Sequence, residues 1–165
     1  DPSRLAPLRS PHPPATTGGI RLLGLPPGAA TSSATAVVAH EVPADDGPTR
    51  IRVGLAEDWG RTSFSAPLPP TGLDERLEDL GLLDGGGGLR VVILSSVVEG
   101  SGARLRWTEV PLARLRDGAA AGRTVDIDVA PEDLRGRLGC KPRPAPGCVA
   151  VWAAPRAAQV LFERR

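Results

Sequence analysis

Residues 89–98, LRVVILSSVV, form the most apolar run of the 165-residue chain and decide its fold class. The run has the length of a buried strand rather than of a long helix, and β-branched Val and Ile dominate it. A turn sequence, EGSG, follows at 99–102, and the chain returns as ARLRWTEV over 103–110, where Leu105 and Trp107 alternate with arginines. This pattern predicts an antiparallel β-hairpin.

The rest of the chain carries similar short runs. Residues 49–56 (TRIRVGLA) and 123–129 (RTVDIDV) alternate apolar and polar side chains, as half-buried strands do. The turn sequence ADDGP at 44–48 favours a second hairpin, and a Pro-Arg turn near the C-terminus favours a third. Outside the first hairpin, strands are predicted at 20–25, 34–42, 49–56, 123–129, 148–154 and 158–163.

Three segments favour short helices. The sequence TGLD at 71–74 has the form of a capping box, and leucines at 73, 77 and 80 continue it at helical spacing. Pro111 and Pro131 each open a further single turn. The whole pattern predicts a mainly β fold, an antiparallel β-sandwich or partly closed barrel of about seven to nine strands with one to three short helices.

The N-terminus differs in composition from the rest of the chain. Residues 1–19 contain five prolines and almost nothing to bury, which predicts a Pro-rich extended tail or stalk that tethers the domain. Residues 20–165 are then expected to form a single β-rich domain. The net charge of +1 excludes a chain-wide polyelectrolyte, and no run approaches the roughly 18 apolar residues of a membrane-spanning helix.

Cys140 and Cys148 bracket a Pro-rich turn, KPRPAPG, at 141–147. Their spacing fits neither a CxxC redox pair nor a zinc knuckle, and the interpretation that we favour is a local disulfide. A disulfide implies an oxidising compartment, so we expect an extracellular or extracytoplasmic protein, either processed or tethered to the membrane. Two buried reduced thiols in a cytosolic protein, or a metal site, remain alternatives.

Basic residues are concentrated at the C-terminal end of the chain. Over residues 134–165 the only acid is Glu163, and the basic residues are Arg135, Arg137, Lys141, Arg143, Arg156, Arg164 and Arg165. They form a candidate patch for an anionic partner, such as a polyanionic cell-wall polymer or lipid headgroups. They can also lie on solvated strand faces or pair with acidic residues of the rest of the chain, and this is the interpretation that we favour. No aromatic stacking platform accompanies them, so we predict no nucleic-acid partner.

Few residues are suited to catalysis. His40 is the one candidate base of the predicted domain, and Asp45 and Asp46 in the adjacent turn could orient its ring. The available nucleophiles are Ser63, Ser65, Ser95 and Ser96. The sequence has no GxSxG elbow, no GxGxxG fingerprint and no Walker A loop. A structural histidine is therefore the favoured interpretation of His40.

Asp126 and Asp128 form a D-x-D pattern on one face of a predicted strand. Two carboxylates in this arrangement can hold a divalent cation. They can equally form the polar face of an alternating strand and pair with Arg104 and Arg106 on its neighbour. We favour the pairing, and we predict neither a metal nor a cofactor.

These observations predict a non-catalytic binding or structural module of a cell-surface or extracellular assembly. Its partner would be another protein or an anionic cell-surface polymer. One alternative is a hydrolase that uses His40 with a nearby serine and Asp45 or Asp46. A second alternative is an accessory subunit of a stable multi-protein complex, which docks through its tail and its basic C-terminal end.

Overall fold

Antiparallel strands make up nearly all of the regular structure. The computed structural model describes residues 19–29, 34–44, 47–57, 61–68, 72–85, 87–117, 121–129, 136–141, 147–154 and 157–164. The strands in these ranges are β1 (Ile20–Gly24), β2 (Ala34–Ala44), β3 (Gly47–Glu57), β4 (Arg61–Pro67), β5 (Glu75–Gly85), β6 (Gly88–Glu99), β7 (Gly102–Pro111), β8 (Arg123–Val129), β9 (Gly136–Lys141), β10 (Gly147–Ala154) and β11 (Ala157–Arg164). The helix is α1 (Leu112–Arg116).

The strands form three sheets. The first sheet has the order β1-β2-β3-β4, the central sheet β5-β6-β7-β8 and the third sheet β11-β10-β9. Every pairing between them is antiparallel. Among the described strands no sheet closes into a barrel. The predicted mainly β, antiparallel fold is confirmed.

The central sheet is covered on both faces. In β6, Val91 and Ile93 belong to an apolar cluster that includes the first-sheet residues Ile51 and Val53. The next residue, Leu94, points to the other face and belongs to a second cluster, with Trp107 of the same sheet and with Cys148 and Ala150 of the third sheet. A strand that is buried on both faces needs apolar residues at every position, which explains the unbroken run at 89–98.

The hairpins predicted from the sequence are present. In the β6–β7 hairpin, Leu94 lies opposite Trp107 and Glu99 opposite Gly102. Strands β2 and β3 form the second hairpin, and β10 and β11 form the third. The single helical turn predicted after Pro111 is α1.

The helix predicted from the capping box at 71–74 is wrong, because the chain forms the strand β5 instead. Leu77 lies opposite Ser95 and Leu80 opposite Ile93, with a β-bulge between the two pairs. The bulge adds one residue to the strand, so these two leucines point to the same face although they are three positions apart. In the sequence, the spacing of three residues between Leu77 and Leu80 therefore resembles the periodicity of a helix.

Two further strands, β4 and β9, were not predicted. Neither carries a strong alternation of apolar and polar residues, so the sequence gives little sign of them. The helix predicted to begin at Pro131 and most of the tail, residues 1–18, lie outside the described residues.

Candidate functional site

The bulge in β5 is the place where all three sheets meet. The register passes from Leu77 opposite Ser95 to Asp79 opposite Leu94, so Glu78 is the extra residue, without an opposite residue on β6. Strand β5 is also an edge of the central sheet. Backbone groups on the outer side of an edge strand remain open to other elements, and a bulge re-aims them.

Two carboxylates bind backbone amides around this bulge. Glu41, from β2, accepts hydrogen bonds from the amide of Leu77 at 2.7 Å and from the amide of Gly19 at 2.8 Å. Asp79 accepts one from the amide of Leu138, in β9, at 2.9 Å. Side-chain oxygens thus take the place of strand pairing, and they join β5 to the first sheet on one side and to the third sheet on the other.

Two arginines from different sheets donate to a single carbonyl oxygen of the bulge. The Nε of Arg21, in β1, lies 3.1 Å from the carbonyl oxygen of Glu78, and an Nη of Arg137, in β9, lies 3.3 Å from it. The two guanidinium groups are therefore close neighbours. Within the described part of the chain neither of them forms a salt bridge. Two like charges held this close attract an anion that can lie between them.

The arginine pair lines a groove of about 1010 Å³. The charged residues that line it are Arg21, Arg76, Arg137, Asp74 and Glu78, so cations outnumber anions. Both carboxylates already accept hydrogen bonds from the protein: that of Glu78 from the Ser96 hydroxyl at 2.7 Å, and that of Asp74 from the Thr49 amide at 2.8 Å. Apolar side chains of Pro48, Leu73 and Val98 complete the wall.

A buried carboxyl group lies on β5, the strand that carries the bulge. Glu75, at the start of β5, is 3% exposed and accepts a hydrogen bond of 2.6 Å from the hydroxyl of Ser95. Burial raises the pKa of Glu75, and the Ser95 hydroxyl and the charge of Arg106 offset part of this rise. Glu75 was not predicted as a site residue, because a helix over 71–80 does not place it against β6.

No protein-family model, no curated protein and no solved structure matches the chain. A search for membrane spans found no helix of sufficient length and hydropathy in the described ranges. Any statement about function therefore depends on the geometry of the site.

The Cys140–Cys148 disulfide predicted from the sequence is confirmed. The two residues lie directly opposite each other on β9 and β10. The Cys148 sulfur is buried and lies 3.5 Å from the carbonyl oxygen of Leu82. The Cys140 sulfur packs so closely on Gly81 that a Cβ atom at this position would overlap it. The disulfide thus packs against β5 two residues beyond the bulge.

Of the two aspartates in the D-x-D pattern, Asp126 forms ion pairs. Asp126 accepts two hydrogen bonds from Arg106, at 2.7 and 3.0 Å, and lies 3.9 Å from Arg104. The Arg106 hydrogen bonds lower the pKa of Asp126, and the same contact raises the pKa of Arg106. Asp128 lies opposite Arg104 in the β7–β8 register. Among the described side chains, no group of three or more His, Cys, Asp or Glu residues is arranged to hold a metal ion.

The residues of the hydrolase hypothesis are not brought together in the described part of the chain. His40 is half-buried on β2, on the face opposite to the core residues Val37 and Ala39. Ser95, like Ile93, points from the central sheet towards the first sheet, so β2 separates it from the His40 side. Asp45 and Asp46 lie outside the described residues, as do the side chains of Ser63 and Ser65.

Of the predicted basic patch, the structure describes one side chain, that of Arg137. Lys141 and Arg164 are described in backbone only, at the ends of β9 and β11. The remaining members lie outside the described residues: Arg135, Arg143, Arg156 and Arg165. The described cationic site instead combines Arg137 with Arg21 and Arg76, from other parts of the chain.

Proposed function

We propose that this protein is a non-catalytic binding module of a cell-surface or extracellular assembly, and that it holds an anionic partner in the groove at the β5 bulge. One observation carries the proposal: Arg21 and Arg137 share the Glu78 carbonyl oxygen and form no salt bridge among the described residues. Arginine at a fixed position, with N–H donors to spare, is typical of sites that recognise carboxylates and phosphates.

The other groove residues fit binding better than catalysis. Neither His nor Cys is among the described residues of the lining, and the hydroxyl of Ser96 donates to the Glu78 carboxylate. The Cys140–Cys148 disulfide supports the extracellular part of the proposal, because such bonds persist in oxidising compartments.

Binding of soluble polyanions tests the proposal. Polyglutamate and linear polyphosphate would be titrated separately into the protein at fixed ionic strength. We expect the double variant Arg21→Gln/Arg137→Gln to bind at least about tenfold more weakly than the wild type, because two charged donors are lost. A double variant of equal charge, Arg114→Gln/Arg123→Gln, alters exposed arginines outside the groove and serves as the control. Equal losses in both double variants, or no binding of either polyanion, would contradict the proposal.

An accessory subunit of a complex is a second candidate, favoured by a different observation. Ile20 and Leu22 are 64% and 68% exposed, and both lie on the outer face of β1, an edge strand. Exposed apolar side chains next to an open strand edge are typical of a docking surface. If this candidate is right, Ile20→Ser/Leu22→Ser removes co-purifying subunits from the native source and leaves polyanion binding unchanged. Retention of those subunits would count against it.

A further inference from the structure

We infer that the groove recognises a tetrahedral oxyanion, and that its occupant is a soluble polymer of phosphate groups, other than a nucleic acid, rather than a chain of carboxylates. This inference rests on the proposed function, since it names the chemistry of the partner in the same groove. It follows from how the two arginines are held, from the third arginine beside them and from the size of the groove.

The arginine pair offers donors from two directions. Arg137 uses an N–H group on the Glu78 carbonyl, and Arg21 uses one there and another on the carbonyl of Ile20 at 3.1 Å. Each guanidinium has five N–H donors, so most of them remain for a ligand. The acceptor sites of a carboxylate lie in one plane, which matches the planar fork of a single guanidinium. A phosphate group directs its oxygens tetrahedrally, so it can accept from two guanidiniums on different strands at once.

The third arginine and the groove volume favour a polymer over a single ion. Arg76 lies in the same lining, on the N-terminal side of the bulge. A volume of about 1010 Å³ is at the upper end for drug-sized ligands and far exceeds that of one phosphate ion. A chain with one negative charge per repeat can therefore place one phosphate on the Arg21–Arg137 pair and a neighbouring phosphate near Arg76.

Lipid headgroups carry the same phosphate chemistry but require a different surface. The described apolar lining consists of Pro48, Leu73 and Val98, and of these Val98 is 49% exposed. These side chains lie in the wall of a groove, whereas membrane binding needs a projecting apolar face. The soluble polymer is therefore the source of phosphate to which we commit.

Isothermal titration calorimetry would compare linear polyphosphate with polyglutamate of equal charge, at fixed ionic strength, and sedimentation would test vesicles of phosphatidylglycerol. We expect polyphosphate to bind about tenfold more tightly than polyglutamate. Arg137→Lys keeps the charge but loses the planar fork, and we expect it to weaken polyphosphate binding about tenfold. Arg114→Lys, at an exposed position outside the groove, is the control and should bind as the wild type does.

The outcomes separate the two proposals. Equal affinity for the two polymers, or full binding by Arg137→Lys, would overturn the phosphate assignment and leave the proposed function standing. Binding of vesicles without binding of soluble polyphosphate would overturn the polymer assignment. Binding of none of the three would overturn both proposals. Thermal unfolding of each variant checks that a loss of binding is not a loss of fold.

Discussion

The two halves of β5 pair with the same neighbour, β6, yet they make opposite kinds of contact. The first half, from Glu75 to Asp79, meets carboxylates, hydroxyls and guanidinium groups around the bulge. The second half, from Leu80 to Gly85, meets leucines, valines and the disulfide. Burial of apolar surface stabilises the second half. Charged groups that bind backbone amides and carbonyls hold the first half in place.

We therefore expect the second half of β5 to contribute mainly to stability and the groups around the first half to contribute mainly to binding. Substitutions in the second half should lower the free energy of unfolding. They should affect binding only under conditions in which the fold is lost. At the bulge, substitutions of groups that hold the backbone should cost less stability, and substitutions of the arginines should mainly affect binding.

Gly81→Val would test the packing of the second half most severely. A Cβ at Gly81 would overlap the Cys140 sulfur, so either the third sheet or the disulfide must move. Overpacking of this kind typically costs 1–3 kcal/mol, and we expect about 3 kcal/mol or more here, because a disulfide cannot change rotamer freely. Denaturant unfolding measures the change. Gly139→Val, with nothing within 4 Å of its added Cβ, is the matched control. Similar losses in both variants would contradict the assigned contact.

Removing the disulfide in the variant Cys140→Ala/Cys148→Ala should have the next largest effect. The bond closes a short loop, with a sequence separation of 8. By chain entropy we expect the free energy of unfolding to fall by about 2–3 kcal/mol. Polyphosphate binding should be retained at temperatures well below the midpoint of unfolding. Loss of binding in a variant that is still folded would show that the two halves of β5 are not independent.

Glu41→Gln would test how the first half of β5 is held in place. The Glu41 carboxylate accepts hydrogen bonds from the amides of Leu77 and Gly19, and an amide side chain offers one oxygen where the carboxylate offers two. One charge-assisted hydrogen bond is lost, so we expect a destabilisation of about 1–2 kcal/mol. Hydrogen exchange should be faster at whichever of the two amides, Leu77 or Gly19, loses its acceptor. Unchanged exchange at both amides would indicate that the carboxylate does not hold the bulge.

Glu75→Gln should have a small effect that depends on pH. Burial raises the pKa of Glu75 above its ordinary value of 4.5, so the folded protein keeps a proton that the unfolded chain releases first. The stability contributed by this proton is complete below pH 4.5 and is lost as the pH rises through the raised pKa. The variant should therefore gain stability relative to the wild type as the pH rises from about 4 to 7. Denaturant unfolding at several pH values measures this difference, and a constant difference would contradict the assigned pKa direction.

Much of the fold could be predicted from the sequence because it depends on local patterns. Alternation identified β3, β7 and β8, and the apolar run identified β6. The separation of only 8 residues between Cys140 and Cys148 made their disulfide predictable. Strand β5 was mistaken for a helix because its bulge changes the phase of the leucines, and no local rule places a bulge at Glu78.

The candidate site could not be predicted, since its parts are far apart in sequence. Arg21 and Arg137 lie 57 and 59 residues from Glu78, whose carbonyl oxygen brings them together. The basic C-terminal end drew attention to Arg137, but nothing in the sequence connects it with β1. Only the pairing of strands into three sheets around β5 places these charges side by side.

Nuclear magnetic resonance of the arginine side chains during a polyphosphate titration would test the proposed site most directly. The Nε–H signals of Arg21 and Arg137 can be assigned from the corresponding Gln variants, and Arg114, on α1, serves as the internal control. We expect the two groove signals to shift together and to saturate, while the Arg114 signal stays in place. Groove signals that remain unchanged while other arginines shift would contradict the assignment of the groove as the binding site.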